Sequence, residues 1–397
     1  MSTTVEWMRI GHALALVVCA GLVVGCSSGG GTDTSTTVAP SPSPQATSET
    51  PEPQAAPSPG AAMCGADFLA SLTGRQKLAQ LLNVGVTGTA DALDVVKSEQ
   101  IGGIFIGSWT DESMLANREV GKVAAASPVP LMVTIDEEGG RVSRVDHLFG
   151  ADPSARETAR TMTTDQAYRM ALARGGQLKE LGITVDFAPD VDVSSQPDDS
   201  VIGDRSFSDD PDVVTAYAQA YAQGLRDAGI FPVIKHFPGH GSASGDSHTG
   251  AVTTPPLGQL QNSDLVPYRT LVATDVGVML GHLSVPGLTT PGVPASMSPQ
   301  AVSLLRDGTG YAAPPFTGPI FTDDLSGMKA ITDKYDITQA VEAALTAGVS
   351  VALWLTTDDV PRVLDHLEGA VAAGRLPAGT VDASVLTVAR AKGAVTC

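Results

Sequence analysis

The chain has 397 residues, 43% of them hydrophobic and 17% charged, enough to bury a sizeable core in one large domain or two ordinary ones. A formal net charge of -19 argues against nucleic acid, which attracts basic surfaces, and against a polyanionic substrate. A neutral ligand such as a sugar fits this balance more easily.

Residues 1–25 read as an export signal. Arg9 sits in a short leading region, and the nearly all-apolar run that follows is too short for a comfortable membrane span. It ends Leu22-Val23-Val24-Gly25-Cys26, which resembles a bacterial lipobox, so Cys26 is expected to carry a lipid; an uncleaved anchor is the plainer alternative. Residues 26–63 are rich in Ser, Thr and Pro and read as a disordered tether, open to O-glycosylation on composition alone. Residues 64–397 read as one globular domain. The expected location is the outer face of the cell membrane, held there by the lipid alone, with the protein a monomer. The four cysteines include no Cys-x-x-Cys pair, which argues against a cysteine-ligated zinc site.

Within the domain, apolar strand-like runs at 82–86, 101–108, 129–136, 184–192, 231–236, 277–284, 318–323 and 350–356 alternate with helical stretches such as 164–181, 211–229 and 338–347. Eight buried, non-alternating strands separated by helices predict parallel βα units closing into a (β/α)8 barrel, an α/β fold; a doubly wound open sheet is the runner-up. Polar groups gather where those runs end: Asp136, Asp190 and Asp192, Lys235 and His236, His282, then Asp323 and Asp324. One such acid would be an ordinary helix cap. So many at equivalent ends point to the face on which barrels of this class build their sites. A barrel also brings its two ends together, and Cys64 and Cys397 bracket the domain outside the membrane, so a disulfide between them is expected.

The stretch richest in chemistry is Lys235-His236-Phe237-Pro238-Gly239-His240-Gly241, followed by Asp246-Ser247-His248. A strand here ends in a glycine-rich loop that carries a cation, three imidazoles and a carboxylate, which is poor core material. In Asp246-x-His248 the carboxylate can orient the imidazole for proton transfer near neutrality. Asp323, ending a buried strand, can be a nucleophile, a metal ligand or a cap. Asp136, in Asp136-Glu137-Glu138-Gly139-Gly140-Arg141-Val142-Ser143-Arg144, can accept two sugar hydroxyls, with Arg144 supporting it or touching the ligand. Arg205, in Ile202-Gly203-Asp204-Arg205, reads first as half of a loop salt bridge, and Trp109, at the end of the second run, as ordinary packing, with stacking on a sugar as the alternative. Two rivals are weighed. A metal-dependent hydrolase using His236, His240, Asp246 and His248 would need its ligands on rigid elements, and three of the four lie in the glycine-rich loop. A non-catalytic sugar-binding protein needs neither the Asp246–His248 pair nor Asp323.

Taken together, Lys-His-Phe-Pro-Gly-His-Gly with Asp-Ser-His, the upstream Asp-x-Glu-Gly-Gly-Arg-Val-x-Arg and the later Ile-Phe-Thr-Asp-Asp-Leu resemble glycoside hydrolase family 3, in its single-domain β-N-acetylhexosaminidase branch, from about residue 72 to 391. The resemblance implies Asp323 as nucleophile and His248 as acid/base, assisted by Asp246. It implies Asp136, Arg144, Arg205, Lys235 and His236 as the residues that hold N-acetylglucosamine, with no cofactor and no metal. With the export signal it implies a retaining exo-β-N-acetylglucosaminidase acting on cell-wall fragments. Phosphorolysis stays open, because a histidine acid/base does not repel phosphate. Glu137 stands where the branch usually has glutamine, and Gly327 interrupts what is commonly Asp-Asp-Leu-Ser-Met.

Overall fold

Eight strands pair side by side, all parallel, in the computed structural model, which describes residues 64–395. The export signal, Cys26, the tether and Cys397 lie outside the described residues. In chain order the strands are β1 (Leu82–Gly85), β2 (Gly103–Ile106), β3 (Met132–Ile135), β4 (Val185–Asp186), β5 (Phe231–Phe237), β6 (Gly277–Leu280), β7 (Ile320–Thr322) and β8 (Ala352–Trp354). They are hydrogen-bonded in the order β8-β1-β2-β3-β4-β5-β6-β7. A parallel bridge between Phe321 and Val351 brings the last strand back to the first, with the N–H groups of Ser350 and Val351 both donating to the Ile320 carbonyl. The sheet is therefore a (β/α)8 barrel, and the open-sheet alternative falls.

Each predicted run holds one barrel strand, because parallel strands covered on both faces must be apolar throughout. The run 277–284 also holds Leu283–Ser284, which pairs with Val252–Thr253 outside the barrel. The fourth was read too long, as 184–192. Only Val185 and Asp186 ladder on both sides, since Pro189 has no N–H to give; pairing resumes as a single bridge from Asp190 to Lys235. That early break frees Asp190 and Asp192 to turn inward beneath the site.

Helix ends follow the expected chemistry. Thr164–Glu180 begins with a capping box between Thr163 and Gln166, and Pro211–Ala228 has proline in its first turn and left-handed Gly229 after its last. The helix Gly65–Ser71, which directly follows Cys64, packs against the closing helix Ala378–Ala391, so the two described ends of the domain meet at one edge.

Inside the barrel an aromatic file climbs toward the C-terminal face. Phe321 on β7 meets Phe187 edge-on at 5.5 Å between ring centres, Phe187 stacks on Phe105 of β2 at 5.8 Å, and Phe105 leans on Trp109 at 5.8 Å. Trp109 corrects the packing expectation: 41% of it is exposed, the one large hydrophobic side chain so placed among the described residues.

Candidate active site

The C-terminal ends of the strands surround a cavity of about 340 Å³. Asp136, Arg144, Arg205, Lys235, His236, His248 and Asp323 all line it. Asp246 stands one bond behind His248. Residues separated by up to 187 positions are thus gathered in one place because each ends or follows a barrel strand.

Lys235 and His236 are consecutive, yet both face the cavity. In a regular strand their side chains would point to opposite faces. A register shift between Ile234 and Phe237 in the β5–β6 ladder turns the chain there and aims both inward. The Lys235 ammonium then sits between two carboxylates, 2.6 Å from Asp136 Oδ1 and 2.6 Å from Glu138 Oε1. Arg205 grips the same Glu138 with Nε at 2.8 Å and Nη2 at 2.9 Å. Burial works against the charges of Glu138, Lys235 and Arg205. For Glu138 the attraction of Arg205 and Lys235 outweighs it and holds the carboxyl well below its usual range. Burial likewise lowers Lys235, but Asp136 and Glu138 overcome it and keep the ammonium protonated far above neutrality. The salt-bridge reading of Arg205 was right and incomplete, since the bridge lies in the cavity wall.

Glu138 went unnoticed as a site residue, although a signal was present. In the extended stretch after β3, alternate side chains share a face, so Asp136 and Glu138 point into the cavity and Glu137 points away. Glu137 is fully buried and accepts from the Ser143 hydroxyl at 2.8 Å, Arg144 N–H at 2.7 Å and Val145 N–H at 3.3 Å. It folds the loop that carries Arg144. The glutamate at this position therefore faces donors rather than ligand. The loop turns at Gly139 and Gly140, both at positive φ, and a Cβ on Gly139 would lie 2.6 Å from the Pro153 carbonyl oxygen. Arg144 does not reach Asp136. Its Nη1 donates to the Ser143 carbonyl at 3.2 Å, while Nε is buried and unpartnered.

His236 donates from Nδ1 to Asp192 Oδ2 at 2.7 Å, which leaves Nε2 as an acceptor 3.4 Å from Arg205 Nη2. Burial, opposed by Asp190 and reinforced by Arg205, pushes the ring down to about 4, so it is neutral at pH 7. Asp192 also accepts the His240 N–H at 2.5 Å, pinning the turn that starts the glycine-rich loop. Asp190, Asp192 and His236 are close enough together to suggest cation ligands. Arg205 Nη2, 3.6 Å from Asp190 Oδ2, already brings a positive charge there, so this donor set fits a metal ion poorly. The rival metal set His236, His240, Asp246 and His248 does not converge as a cluster of ligands among the described residues.

Asp323 continues the β7 ladder, its N–H donating to the Leu280 carbonyl at 3.1 Å. Burial alone would raise its carboxyl. The rings of His236 and His282, the Asp324 N–H at 2.8 Å and Lys235 more than offset that and hold it below the ordinary aspartate value. It is a half-buried carboxylate, ionised at neutral pH. Asp324 is the cap of the pair, taking the Ser326 N–H and hydroxyl at 2.8 Å each and the Gly327 N–H at 2.7 Å. A Cβ on Gly327 would sit 2.5 Å from Asp324 Oδ2, so glycine here accompanies this tight turn. His282 supports the turn from below. Its Nε2 donates to the Asp324 carbonyl at 2.6 Å, and its Nδ1 accepts from Ser296 Oγ at 2.7 Å.

The Asp246–His248 pair is formed. His248 Nδ1 lies 2.7 Å from Asp246 Oδ1, which also takes the His248 N–H at 2.9 Å. In contrast to Asp323, this pair is at the rim, with side-chain exposures of 61% and 34%. The loop is tied down at Ser247, whose carbonyl accepts from Ala330 N at 3.1 Å, just past the turn that follows Asp323.

Asp264 lies in none of the motifs and supports the site from behind. A Cβ on Gly239 would fall 2.1 Å from the Asp264 Cβ, so the Pro238–Gly239 turn rests directly on this side chain. Burial and then the repulsion of Asp192 push its carboxyl up to about 6, against the Ser263 hydroxyl and the Val193 N–H.

Three comparisons bear on this site. The sequence profile described as "Glycosyl hydrolase family 3 N terminal domain" matches residues 73–391. "Beta-hexosaminidase LpqI" of Mycobacterium tuberculosis is 56% identical over 380 residues, 95% of this chain and 96% of that protein. The solved structure "M tuberculosis LpqI" aligns at 58% identity with a TM-score of 0.82, covering 85% of this chain and 98% of that one. A glycoside hydrolase family 3 β-N-acetylglucosaminidase from Paenibacillus sp. FPU-7 aligns at 29% identity with a TM-score of 0.73, covering 81% and 63%.

The Asp264 geometry makes a signed prediction. A carboxyl whose folded value is raised contributes most below its unfolded value near 3.9, and that stability is lost as pH rises through about 6. Asp264→Asn removes the titration. Its unfolding free energy relative to the parent should rise by roughly 2–3 kcal/mol between pH 4 and pH 7, measured by urea unfolding. A difference that stays flat with pH would contradict the assignment.

Proposed function

The chain belongs to glycosyl hydrolase family 3 and is a glycoside hydrolase, and from that premise we propose that it is a β-N-acetylhexosaminidase. The reading is that it releases N-acetylglucosamine from cell-wall fragments with retention of configuration. The observation that carries it is the pairing of a half-buried, ionised Asp323 with a more exposed Asp246–His248 pair at the rim of the same cavity. One group is suited to attack, the other to exchange protons with a departing or arriving oxygen.

In the proposed reaction the sugar sits among Asp136, Arg144, Arg205, Lys235 and His236. Charged groups there favour hydroxyl and amide recognition, because each keeps hydrogen-bonding capacity that its protein partners do not exhaust. An Asp323 oxygen bonds to the anomeric carbon through an oxocarbenium-like transition state while the glycosidic C–O bond breaks. His248 gives its proton to the leaving oxygen. Water then enters, His248 takes its proton, and the hydroxyl displaces Asp323 to return the free carboxylate. Asp246, bonded to Nδ1, holds the ring so that Nε2 carries the proton.

The export reading joins this proposal: Cys26 carries a lipid, residues 26–63 lift the domain from the membrane, and Cys64 pairs with Cys397. The meeting of Gly65–Ser71 with Ala378–Ala391 supports that pairing. Mass analysis of the mature, non-reduced protein should find a diacyl-modified Cys26 as first residue and no free thiol at Cys64 or Cys397. Cys26→Ala should leave the membrane fraction with its specific activity intact; retention after washing would sink the anchor.

The catalytic roles separate by leaving group. Asp323→Ala should abolish turnover on every substrate, since each needs the nucleophile. His248→Ala should lose far more kcat/KM on a disaccharide than on a nitrophenyl glycoside, by about a hundredfold, because a nitrophenolate leaves with little protonation. Asp246→Asn should follow in the same direction less far. Equal losses for His248→Ala on both substrates would make it a binding group only.

A further inference from the structure

Trp109 is the exposed large hydrophobic side chain among the described residues, and it stands on the wall of the active-site cavity. A single exposed apolar side chain is often unremarkable. This one is built in place. Its ring lies flat over Gly107, so close that a Cβ there would meet ring atom Cη2 at 2.2 Å. Phe105 supports it from below, and Phe187 and Phe321 support Phe105 in turn. The turn that holds it is pinned at both ends by Thr110, whose hydroxyl donates to the Val86 carbonyl at 2.7 Å and accepts the Gly107 N–H at 3.0 Å. The ring is thus held rigidly at the mouth with solvent on its remaining surface, an arrangement that gives nothing to the core.

Of the side chains that line the cavity, Trp109 and His248 are the exposed ones, which sets both at its opening, with the part-exposed Val142 and Val201 in the same wall. A pyranose has an apolar face of C–H groups, which an aromatic ring covers well. The first sugar is committed to the charged floor beside Asp323. The second, attached through the bond being cut, has to extend outward past His248 to the opening. We infer that Trp109 is the stacking platform for that second sugar, the leaving group, so that the enzyme selects β-linked saccharides whose aglycone is itself a pyranose. This rests on the function proposed above and adds the part of the substrate that function leaves unspecified.

A substrate without an aglycone ring separates the two. On a β-linked N-acetylglucosamine disaccharide, Trp109→Ala should lose about ten- to thirtyfold in kcat/KM, mainly through KM. On β-N-acetylglucosaminyl fluoride, whose leaving group has no ring, it should change less than about twofold, which also shows the variant is folded. Trp109→Phe should recover most of the loss on the disaccharide. Equal losses on both substrates would mean that the ring touches the first sugar or only shapes the cavity, and no loss on the disaccharide would mean that it touches nothing; either overturns the platform while leaving the proposed function standing. A parent enzyme inert on both substrates would overturn the function and the platform with it.

Discussion

The site depends on one buried balance of charge, the Lys235 ammonium held between Asp136 and Glu138 while Arg205 grips Glu138 from the other side. Taking any of these ions out of water costs several kcal/mol, and only partners at hydrogen-bond distance offset that cost. The four side chains come from the ends of β3 and β5 and from the excursion after β4. Their mutual attraction therefore draws three separate loops to a common centre. Loss of Glu138 would remove the carboxylate that Lys235 and Arg205 share, leaving Lys235 to Asp136 and Arg205 to the more distant Asp190 at 3.6 Å. The group serves the scaffold and the ligand together: Lys235 and Glu138 are buried, Asp136 and Arg205 half-buried, and all four line the cavity.

A second constraint is steric. The turn after β5 has no room for side chains: a Cβ on Gly239 would collide with Asp264, and one on Gly241 would come 2.1 Å from the Val193 carbonyl oxygen. The loop therefore leaves the barrel pressed against the Asp264 side chain at Gly239 and against the Val193 backbone at Gly241, and Asp192 fastens it through the His240 N–H. Beyond that anchored start the loop reaches the rim with Asp246 and His248, held there by the Ala330 N–H on the Ser247 carbonyl. Rigid departure and open arrival are encoded a few residues apart, in Gly239-His240-Gly241 and in Gly245-Asp246-Ser247-His248.

Much of this was legible in the residues, for physical reasons. A strand covered on both faces has to be apolar throughout, so the eight runs stood out, and polar residues at their ends had to share one face of any barrel they closed. Pro189 was the local sign that the fourth run was too long. Glu138 was missed because the motif drew attention to Asp136, although the alternation of an extended chain puts residues 136 and 138 on the same side. Asp264 carried no local signal at all. Its place beneath Gly239 exists only after the helix layer packs against β5, and no spacing along the chain reports that. Packing is the first reading of Trp109, ahead of stacking on a sugar, because an aromatic residue in a strand-rich region is usually core; what distinguishes it is the turn Gly107-Ser108-Trp109-Thr110, which leaves the ring exposed.

The contrast between the two halves of the proposed chemistry follows from the same architecture. Asp323 is the last step of a strand, fixed by its N–H to Leu280 and surrounded by rings and N–H groups that favour its charged form. A carboxylate in that position is preorganised against a developing positive centre, and burial strengthens the interaction by excluding water. His248 has the opposite need. A group that gives a proton to one molecule and takes it from another must meet both at the opening, so it belongs on a loop and in contact with solvent. Placing the acid/base as an imidazole rather than a second carboxylate also keeps two like charges from facing each other across the cavity. With Lys235 and Arg205 already balanced against Asp136 and Glu138, the ionised Asp323 is left as the negative charge that faces an oxocarbenium-like sugar.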